Sequence, residues 1–239
     1  RSIALWQYPF DPKLKALATV VNTEPLGIVL SRLNLDWVPS TAVLLTYRPG
    51  RRAVVRCSQG SRTAFVKAMR PQTAGRVIAA ARLAQASDVC TPGVIGWSPA
   101  GIAIYEPSNG IELSRGNVFG VPAAVAVSTA FEALSRLERV ETKASSRRPI
   151  INNTSWYFAR ATQAHPAEET ALRKLEEKIQ SMKLRNRESE KAITIHGDLH
   201  LGQLFVTEDE THSLSGIIDL DDMGLGYVVN TGNEADVTL

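Results

Sequence analysis

The segment that decides the fold is ITIHGDLHLGQLFVTEDETHSLSGIIDLDD, residues 193–222. Within it, QLFV (203–206) and LSGIID (214–219) read as short strands, and the polar stretch between them predicts the turn of an antiparallel hairpin. A hairpin with its turn midway places Gln203 opposite Asp219, and directly opposed Cβ atoms are about 4.5–5.5 Å apart. The His-Gly-Asp-Leu-His loop enters the first strand at the same end of the hairpin.

Three oxygen-bearing side chains therefore converge in this prediction: the carboxylates of Asp198 and Asp219 and the carboxamide of Gln203. Hard oxygen ligands of this kind suit Mg²⁺, which usually takes one or two carboxylates together with phosphate oxygens and water. The spacing thus predicts Gln203 and Asp219 as metal ligands, with Asp198 beside them.

Composition narrows the class of protein. The 239 residues are 44% hydrophobic and 21% charged, which is typical of a globular chain and excludes a disordered or fibrous one. No apolar run approaches the roughly 20 residues of a membrane helix, so we expect no membrane partner. The net charge of +3 is too small to indicate nucleic acid binding. Two isolated cysteines predict buried thiols and a cytoplasmic location, and the oligomeric state stays open.

The rest of the chain predicts two lobes. We expect a β-rich lobe over residues 1–105, a hinge over 106–110 and a helical lobe over 111–239. The expected strands are 41–47, 51–58, 62–70, two within 92–107, and 192–196, and the expected helices are 14–21, 74–86, 121–140, 155–164 and 167–183.

The pattern His196-x-Asp198-x₄-Gln203, followed by Ile-Ile-Asp219, resembles a known family. It is similar to the catalytic loop and metal-binding aspartate of aminoglycoside phosphotransferase-like small-molecule kinases, which are relatives of choline kinase and of the protein kinases. The variant with Gln is most similar to maltokinase-type members. The resemblance implies an α+β, protein kinase-like two-lobe fold, with an antiparallel β-rich N-lobe, a mainly helical C-lobe and a truncated C-terminal part.

The resemblance also implies an activity, namely transfer of the γ-phosphoryl group of ATP, with Mg²⁺, to a hydroxyl of a small polar molecule. The acceptor could be an aminoglycoside, a sugar or an amino alcohol. Asp198 would orient or deprotonate the acceptor hydroxyl, Gln203 would stand where the family usually has Asn, and Asp219 would hold Mg²⁺. His200, Asp221 and Asp222 are candidates for contact with the substrate, and the two aspartates could equally bind a second ion.

Upstream residues complete the expected nucleotide site. Lys67, in the third strand, stands where such kinases keep the lysine that grips the α- and β-phosphates. The turn that contains Arg48, Gly50 and Arg51 takes the place of the phosphate-covering loop, and Arg52 follows it. The segment around Glu106 resembles the hinge whose backbone hydrogen-bonds adenine.

One departure from the family pattern keeps other readings open. Protein kinases pair the lysine with a helix Glu, but helix 74–86 contains no acidic residue. Either Gln72, Gln85 or Asp88 substitutes for it, or Lys67 is held differently. A nucleotide-binding pseudokinase or an inactive fragment of such a kinase is therefore a second hypothesis. A metallophosphoesterase is a remote third, because Asp198-x-His200 resembles its first metal motif although further histidine ligands do not follow.

Overall fold

An antiparallel five-stranded sheet forms the N-lobe of the computed structural model, which describes residues 5–145, 154–186 and 192–227. The sheet order is β1-β2-β3-β5-β4, and all neighbouring strands are antiparallel. The expected antiparallel β-rich N-lobe is confirmed. Its strands are β1 (Thr41–Arg48), β2 (Arg52–Gln59), β3 (Arg62–Met69), β4 (Val94–Ser98) and β5 (Ile102–Tyr105).

The two faces of this sheet have different partners. Alternate residues of β2, β3 and β5, including Val55, Val66 and Ile104, are fully buried against the N-terminal helices. The strand period of two turns the intervening residues to the other face. There Lys67 lies between Val54 of β2 and Ala103 of β5. The sheet thus separates an apolar core from a face that carries a lysine.

The N-terminal helical region differs from the expected single helix over 14–21. The structure has a short helix α1 (Leu17–Val20) and a second helix α2 (Thr23–Arg32) that the sequence analysis missed. Asn22 is extended, with φ −117° and ψ 127°, and α2 begins directly after it. Pro25 lies in the first turn of α2, where proline is tolerated because the amide N–H there has no helical partner.

One further helix packs on the N-lobe sheet, and the remaining elements build the helical lobe and its small sheets. Helix α3 (Pro71–Ala86) begins with proline at its first position, as expected from the sequence. The strands β6 (Ile111–Glu112) and β10 (Gly224–Tyr227) were not predicted, because segments of two and four residues carry almost no periodic pattern. The other helices are α4 (Ala123–Glu138), α5 (Thr154–Ala164) and α6 (Glu169–Asn186), and the strands are β6 (Ile111–Glu112), β7 (Ala192–Ile195), β8 (Leu204–Val206), β9 (Leu214–Ile217) and β10 (Gly224–Tyr227).

Two small sheets and one helix frame the C-lobe core. Strands β6, β8 and β9 form one antiparallel sheet, and β7 pairs with β10 in another. Helix α4 packs its buried Ala133 and Leu137 against Leu204 and Ile217. None of the helices in the described ranges combines the length and the hydropathy that a membrane-spanning helix requires.

The register of the β8–β9 hairpin corrects the sequence prediction. Leu204 pairs with Ile217, and a bulge between Phe205 and Val206 shifts the pairing further along the hairpin. The Ile218 N–H donates to the Gln203 carbonyl at 3.0 Å, so Gln203 lies opposite Ile218 and not opposite Asp219. The turn of the hairpin is centred one residue earlier than predicted, because Val206 pairs with Leu214, and the bulge offsets only part of this difference. No hydrophobic pattern in so short a hairpin reveals either feature.

An anchor near the N-terminus fixes the β1–β2 turn. Asp11 is only 3% exposed, and its Oδ2 accepts hydrogen bonds from the Tyr47 hydroxyl at 2.9 Å and the Gly50 N–H at 2.6 Å. Its Oδ1 accepts from the backbone N–H groups of Lys13 and Leu14 at 2.8 and 3.2 Å. Gly50 has φ +66°, a left-handed conformation that glycine adopts without strain.

These contacts determine the protonation of Asp11. Burial alone would raise the pKa of this carboxyl, but the hydrogen bonds from Gly50, Lys13, Tyr47 and Leu14 bring it below its ordinary value of 3.8. The carboxylate therefore stabilises the folded protein above that pH, and its contribution is lost as the pH falls through the lowered folded-state pKa.

We predict that Asp11→Asn lowers the free energy of unfolding by about 1–3 kcal/mol at pH 7, because an amide nitrogen replaces one acceptor oxygen and faces two donors. Urea denaturation at pH 7 and at several values below 3.8 measures the effect. The difference from the wild type should shrink as the pH falls. A difference that stays constant over this pH range would show that the Asp11 charge does not hold the turn.

Candidate active site

The centre of the site is Lys67, whose side chain leaves β3 on the face opposite the N-terminal helices. The residue is 7% exposed. Its Nζ donates to Asp219 Oδ1 at 2.6 Å and lies 2.6 Å from Asp221 Oδ2. Both carboxylates come from the turn that follows β9, so the contact joins residues of the two lobes that are 152 positions apart in sequence.

Asp219 is held by two cations. Arg52 Nη1 lies 2.8 Å from Asp219 Oδ2 and 3.1 Å from Oδ1. Burial alone would raise the pKa of this carboxyl, but the Lys67 ammonium and the Arg52 guanidinium outweigh burial and lower the pKa to about 2. Asp219 has φ +63°, a left-handed conformation that Asp and Asn adopt more readily than other residues with a side chain. Because its pKa is low, the Asp219 carboxylate is ionised at neutral pH.

The His-Gly-Asp loop passes beside this carboxylate. His196 is 1% exposed, and its Nε2 donates to the Ile218 carbonyl at 2.9 Å, which ties the loop to the residue before Asp219. Burial lowers the pKa of His196, which keeps the imidazole neutral at physiological pH. Gly197 has φ +90° and turns the chain so that Asp198 is exposed. This geometry fits a scaffold role for His196 and an accessible Asp198.

Gln203 has a place different from the one that the sequence predicts. It is 3% exposed, and its Oε1 accepts the His200 backbone N–H at 3.1 Å. The His200 ring also serves the loop, because its Nδ1 accepts the Gly202 N–H at 3.2 Å. The structure therefore uses the Gln203 carboxamide to cap the turn after Asp198.

Among the arginines of the β1–β2 turn, the structure brings Arg52 to Asp219, whereas the side chains of Arg48 and Arg51 are exposed. A signal for this was available in the sequence. Arg52 lies two residues before Val54, which flanks Lys67, and the strand period of two places both on the face of Lys67.

The segment after β5 lies along an open groove. The Glu106 N–H donates to the Gly93 carbonyl at 2.9 Å, so this one backbone donor of the segment extends the pairing of β4 with β5. A groove of about 1200 Å³ is bordered by the 106–109 segment, Arg56 and Phe65. Phe65 shares the Lys67 face of β3, and the sequence analysis missed it as a residue that could stack on a base.

Of the two alternatives for Lys67, the structure shows the second, in which residues outside helix α3 and its ends hold the ammonium group. Gln72 and Asp88 are exposed, and Gln85 Nε2 donates to the Pro92 carbonyl at 3.3 Å. The partners are instead Asp219 and Asp221 of the turn. The turn's position depends on tertiary packing, which the pattern of helix α3 does not encode.

The donor set fits Mg²⁺ held mainly by Asp219. The ionised side chain of Asp219 is 17% exposed and can therefore be reached by an ion. The negative charges of Asp219 and Asp198 both raise the pKa of His196, against the larger effect of burial, so both carboxylates lie near the imidazole. The described ranges contain no group of three or more His, Cys, Asp or Glu side chains that could hold a metal ion. A magnesium ion needs only one or two protein carboxylates when phosphate oxygens and water complete its shell.

Comparison with known proteins places this site in a family. Residues 30–230 match the phosphotransferase enzyme family, APH. The chain therefore belongs to that family, and the expected enzyme class, a phosphotransferase with an alcohol group as acceptor, is confirmed. No curated protein sequence matches this chain.

Solved structures show the same fold. The GDP complex of wild-type aminoglycoside 2'-phosphotransferase-IIIa is 16% identical, with a TM-score of 0.59 over 86% of this chain and 74% of the other. The streptomycin–ATP complex of APH(2")-IIa is 14% identical, with a TM-score of 0.58 over 86% and 73%. Plasmodium vivax ethanolamine kinase is 13% identical, with a TM-score of 0.59 over 94% and 72%. The kinase-like two-lobe fold is thereby confirmed.

We predict that Gln203→Met lowers the free energy of unfolding by about 1–3 kcal/mol, because the His200 N–H loses its acceptor. Urea denaturation at pH 7 measures the change. Gln59→Met, at the exposed end of β2, is the matched control and should change stability little. Equal stabilities of the two variants would mean that Gln203 does not hold the catalytic-loop turn.

Proposed function

We propose that this protein transfers the γ-phosphoryl group of ATP, in the presence of Mg²⁺, to a hydroxyl group of a small polar molecule. The observation that carries the proposal is the pair formed by Lys67 of the β-rich lobe and Asp219 of the helical lobe, with 2.6 Å between Nζ and Oδ1. This pair lies beside the His-Gly-Asp loop, through the hydrogen bond from His196 to Ile218.

The nucleotide would lie along the Lys67 face of the sheet. Phe65 and the hinge residues 106–109 border the groove for the base, and Lys67 and Arg52 supply positive charge for the phosphates. Asp219 would hold Mg²⁺, which, when bound, neutralises phosphate charge. Support for nucleotide use comes from the neighbouring structures, one a complex with ATP and one with GDP.

The chemistry requires few protein groups. Asp198 is exposed and lies in the loop that His196 and Gln203 fix, so its carboxylate can accept the proton of an acceptor hydroxyl. The hydroxyl oxygen then bonds to the γ-phosphorus, the bond from that phosphorus to the bridging oxygen breaks, and ADP leaves with the electron pair. Lys67 and Arg52 stabilise the charge on the phosphate groups.

The acceptor we propose is a small alcohol that also carries an amine. The structural neighbours include a complex with streptomycin, a complex with gentamicin and an ethanolamine kinase, and all three named molecules carry both hydroxyl groups and basic nitrogen. The exposed Asp198 and the half-buried Asp222 are acidic groups at the same end of the hairpin and would attract a cation. A sugar acceptor, as the maltokinase-like Gln203 pattern suggests, is the other outcome of an acceptor screen.

The setting we propose is the cytoplasm, where ATP is abundant. Both cysteines are free thiols, and burial raises the pKa of Cys57 to about 11, which makes it unreactive.

The pseudokinase hypothesis differs from ours in one observable, because it predicts nucleotide binding without phosphoryl transfer. The metallophosphoesterase hypothesis has no support from the family match or from the described residues.

We predict that Asp198→Asn lowers kcat by about 100-fold or more, because the acceptor hydroxyl loses its proton acceptor. ATP affinity should change less than about threefold, because we place Asp198 on the acceptor side of the phosphates. Coupled ADP release over a panel of aminoglycosides, amino alcohols and sugars measures turnover, and calorimetry measures affinity.

The matched control is Asp209→Asn, in the exposed turn of the same hairpin, where the carboxylate accepts hydrogen bonds from Thr207 and Thr211. This variant should turn over like the wild type. Normal turnover by Asp198→Asn would refute the assignment of the proton acceptor. ATP binding by the wild type without transfer to any acceptor in the panel would favour the pseudokinase.

A further inference from the structure

Helix α3 packs against the catalytic lobe without contributing a carboxylate. Its sequence, PQTAGRVIAAARLAQA, contains no Asp or Glu, but it carries Arg76. Nη1 of Arg76 donates to the main-chain oxygen of Asp221. The helix therefore contributes a cation that grips the backbone of the turn after β9.

Asp221 is positioned by more than this one contact. Leu220 and Met223, on either side of it, are 5% and 3% exposed and belong to the C-lobe core. The turn is thus fixed by the burial of the apolar residues that flank Asp221 and by the hydrogen bond from Arg76 to its main-chain oxygen. A carboxylate on a segment held in this way loses little conformational entropy when it binds a lysine.

Lys67 needs a partner other than Asp219. The Lys67 ammonium carries three N–H donors, and its Nζ lies 2.6 Å from Asp219 Oδ1 and 2.6 Å from Asp221 Oδ2. Asp219 is the carboxylate that we assign to Mg²⁺, and a carboxylate that binds a metal has less charge to offer an ammonium group. Asp221 can hold Lys67 in place while the third N–H reaches a phosphate oxygen.

We propose that Asp221 is the positioning residue that orients Lys67 towards the nucleotide, in place of an acidic residue on helix α3. In this protein the turn supplies the carboxylate that pairs with Lys67, and the helix supplies an arginine that holds the turn. This inference rests on the proposed nucleotide site, and it reassigns Asp221 from substrate contact to the support of Lys67.

A double-mutant cycle on nucleotide binding tests the proposal. The wild type, Lys67→Met, Asp221→Asn and the double variant are titrated with a fluorescent N-methylanthraniloyl derivative of ADP in the presence of Mg²⁺. Lys67→Met should weaken binding by about tenfold or more in the wild-type background. In the Asp221→Asn background it should cost about threefold or less, because Lys67 is no longer oriented there. Asp221→Glu, which keeps the charge, should restore part of the Lys67 contribution.

Glu132→Gln is the control background. It removes a carboxylate from the exposed pair with Arg136 on helix α4, so Lys67→Met should cost the full tenfold there. An equal cost of Lys67→Met in the wild-type and Asp221→Asn backgrounds would overturn the proposal, and Asp221 would then act independently, as a substrate or second-ion contact.

Failure of the proposed function gives a different result. If the wild type does not bind the ADP derivative at all, the nucleotide site itself is wrong. The same four proteins then report the Lys67–Asp221 pair through thermal unfolding. Losses of melting temperature that are smaller in the double variant than the two single losses combined support the pairing, and additive losses contradict it.

Discussion

The contact between the Lys67 ammonium and the Asp219 carboxylate is the point on which the rest of the structure depends. One group comes from the centre of the N-lobe sheet and the other from the turn after β9, and both are largely buried. A buried ion that loses its partner costs several kcal/mol, so the lobes must keep these groups together. Two hydrogen bonds, from His196 to the Ile218 carbonyl and from Arg76 to the Asp221 main-chain oxygen, hold the turn that carries Asp219 in place.

The charges of the site are divided between the lobes. The β-rich lobe supplies Lys67 and Arg52, and the turn after β9 supplies Asp219 and Asp221. A phosphate chain and a magnesium ion need the same division, because phosphates bind cations and the metal binds carboxylates. The β1–β2 turn that leads into Arg52 is itself held by Asp11 through the Gly50 N–H. This division of charge fits the phosphotransferase family that residues 30–230 match.

Much of this arrangement could be predicted from the sequence, because it rests on local patterns. The three-stranded meander, the helix after Lys67 and the His-Gly-Asp loop before a short hairpin each carry a clear period or motif. The contacts that were missed are tertiary. The turn of the β8–β9 hairpin is centred one residue earlier than the spacing predicts, and the partner of Lys67 comes from a turn 152 or more positions away. No spacing within a single element records either fact.

The measurement that tests the central claim most directly is a calorimetric titration of ATP into the protein, with and without Mg²⁺, beside an Asp219→Asn variant. Asparagine tolerates the left-handed backbone at this position, so the variant removes the charge and keeps the turn. Our account predicts binding by the wild type that strengthens at least about tenfold with Mg²⁺, and little or no strengthening in the variant. Equal binding by both proteins in the presence of Mg²⁺, or no binding by the wild type, would contradict it.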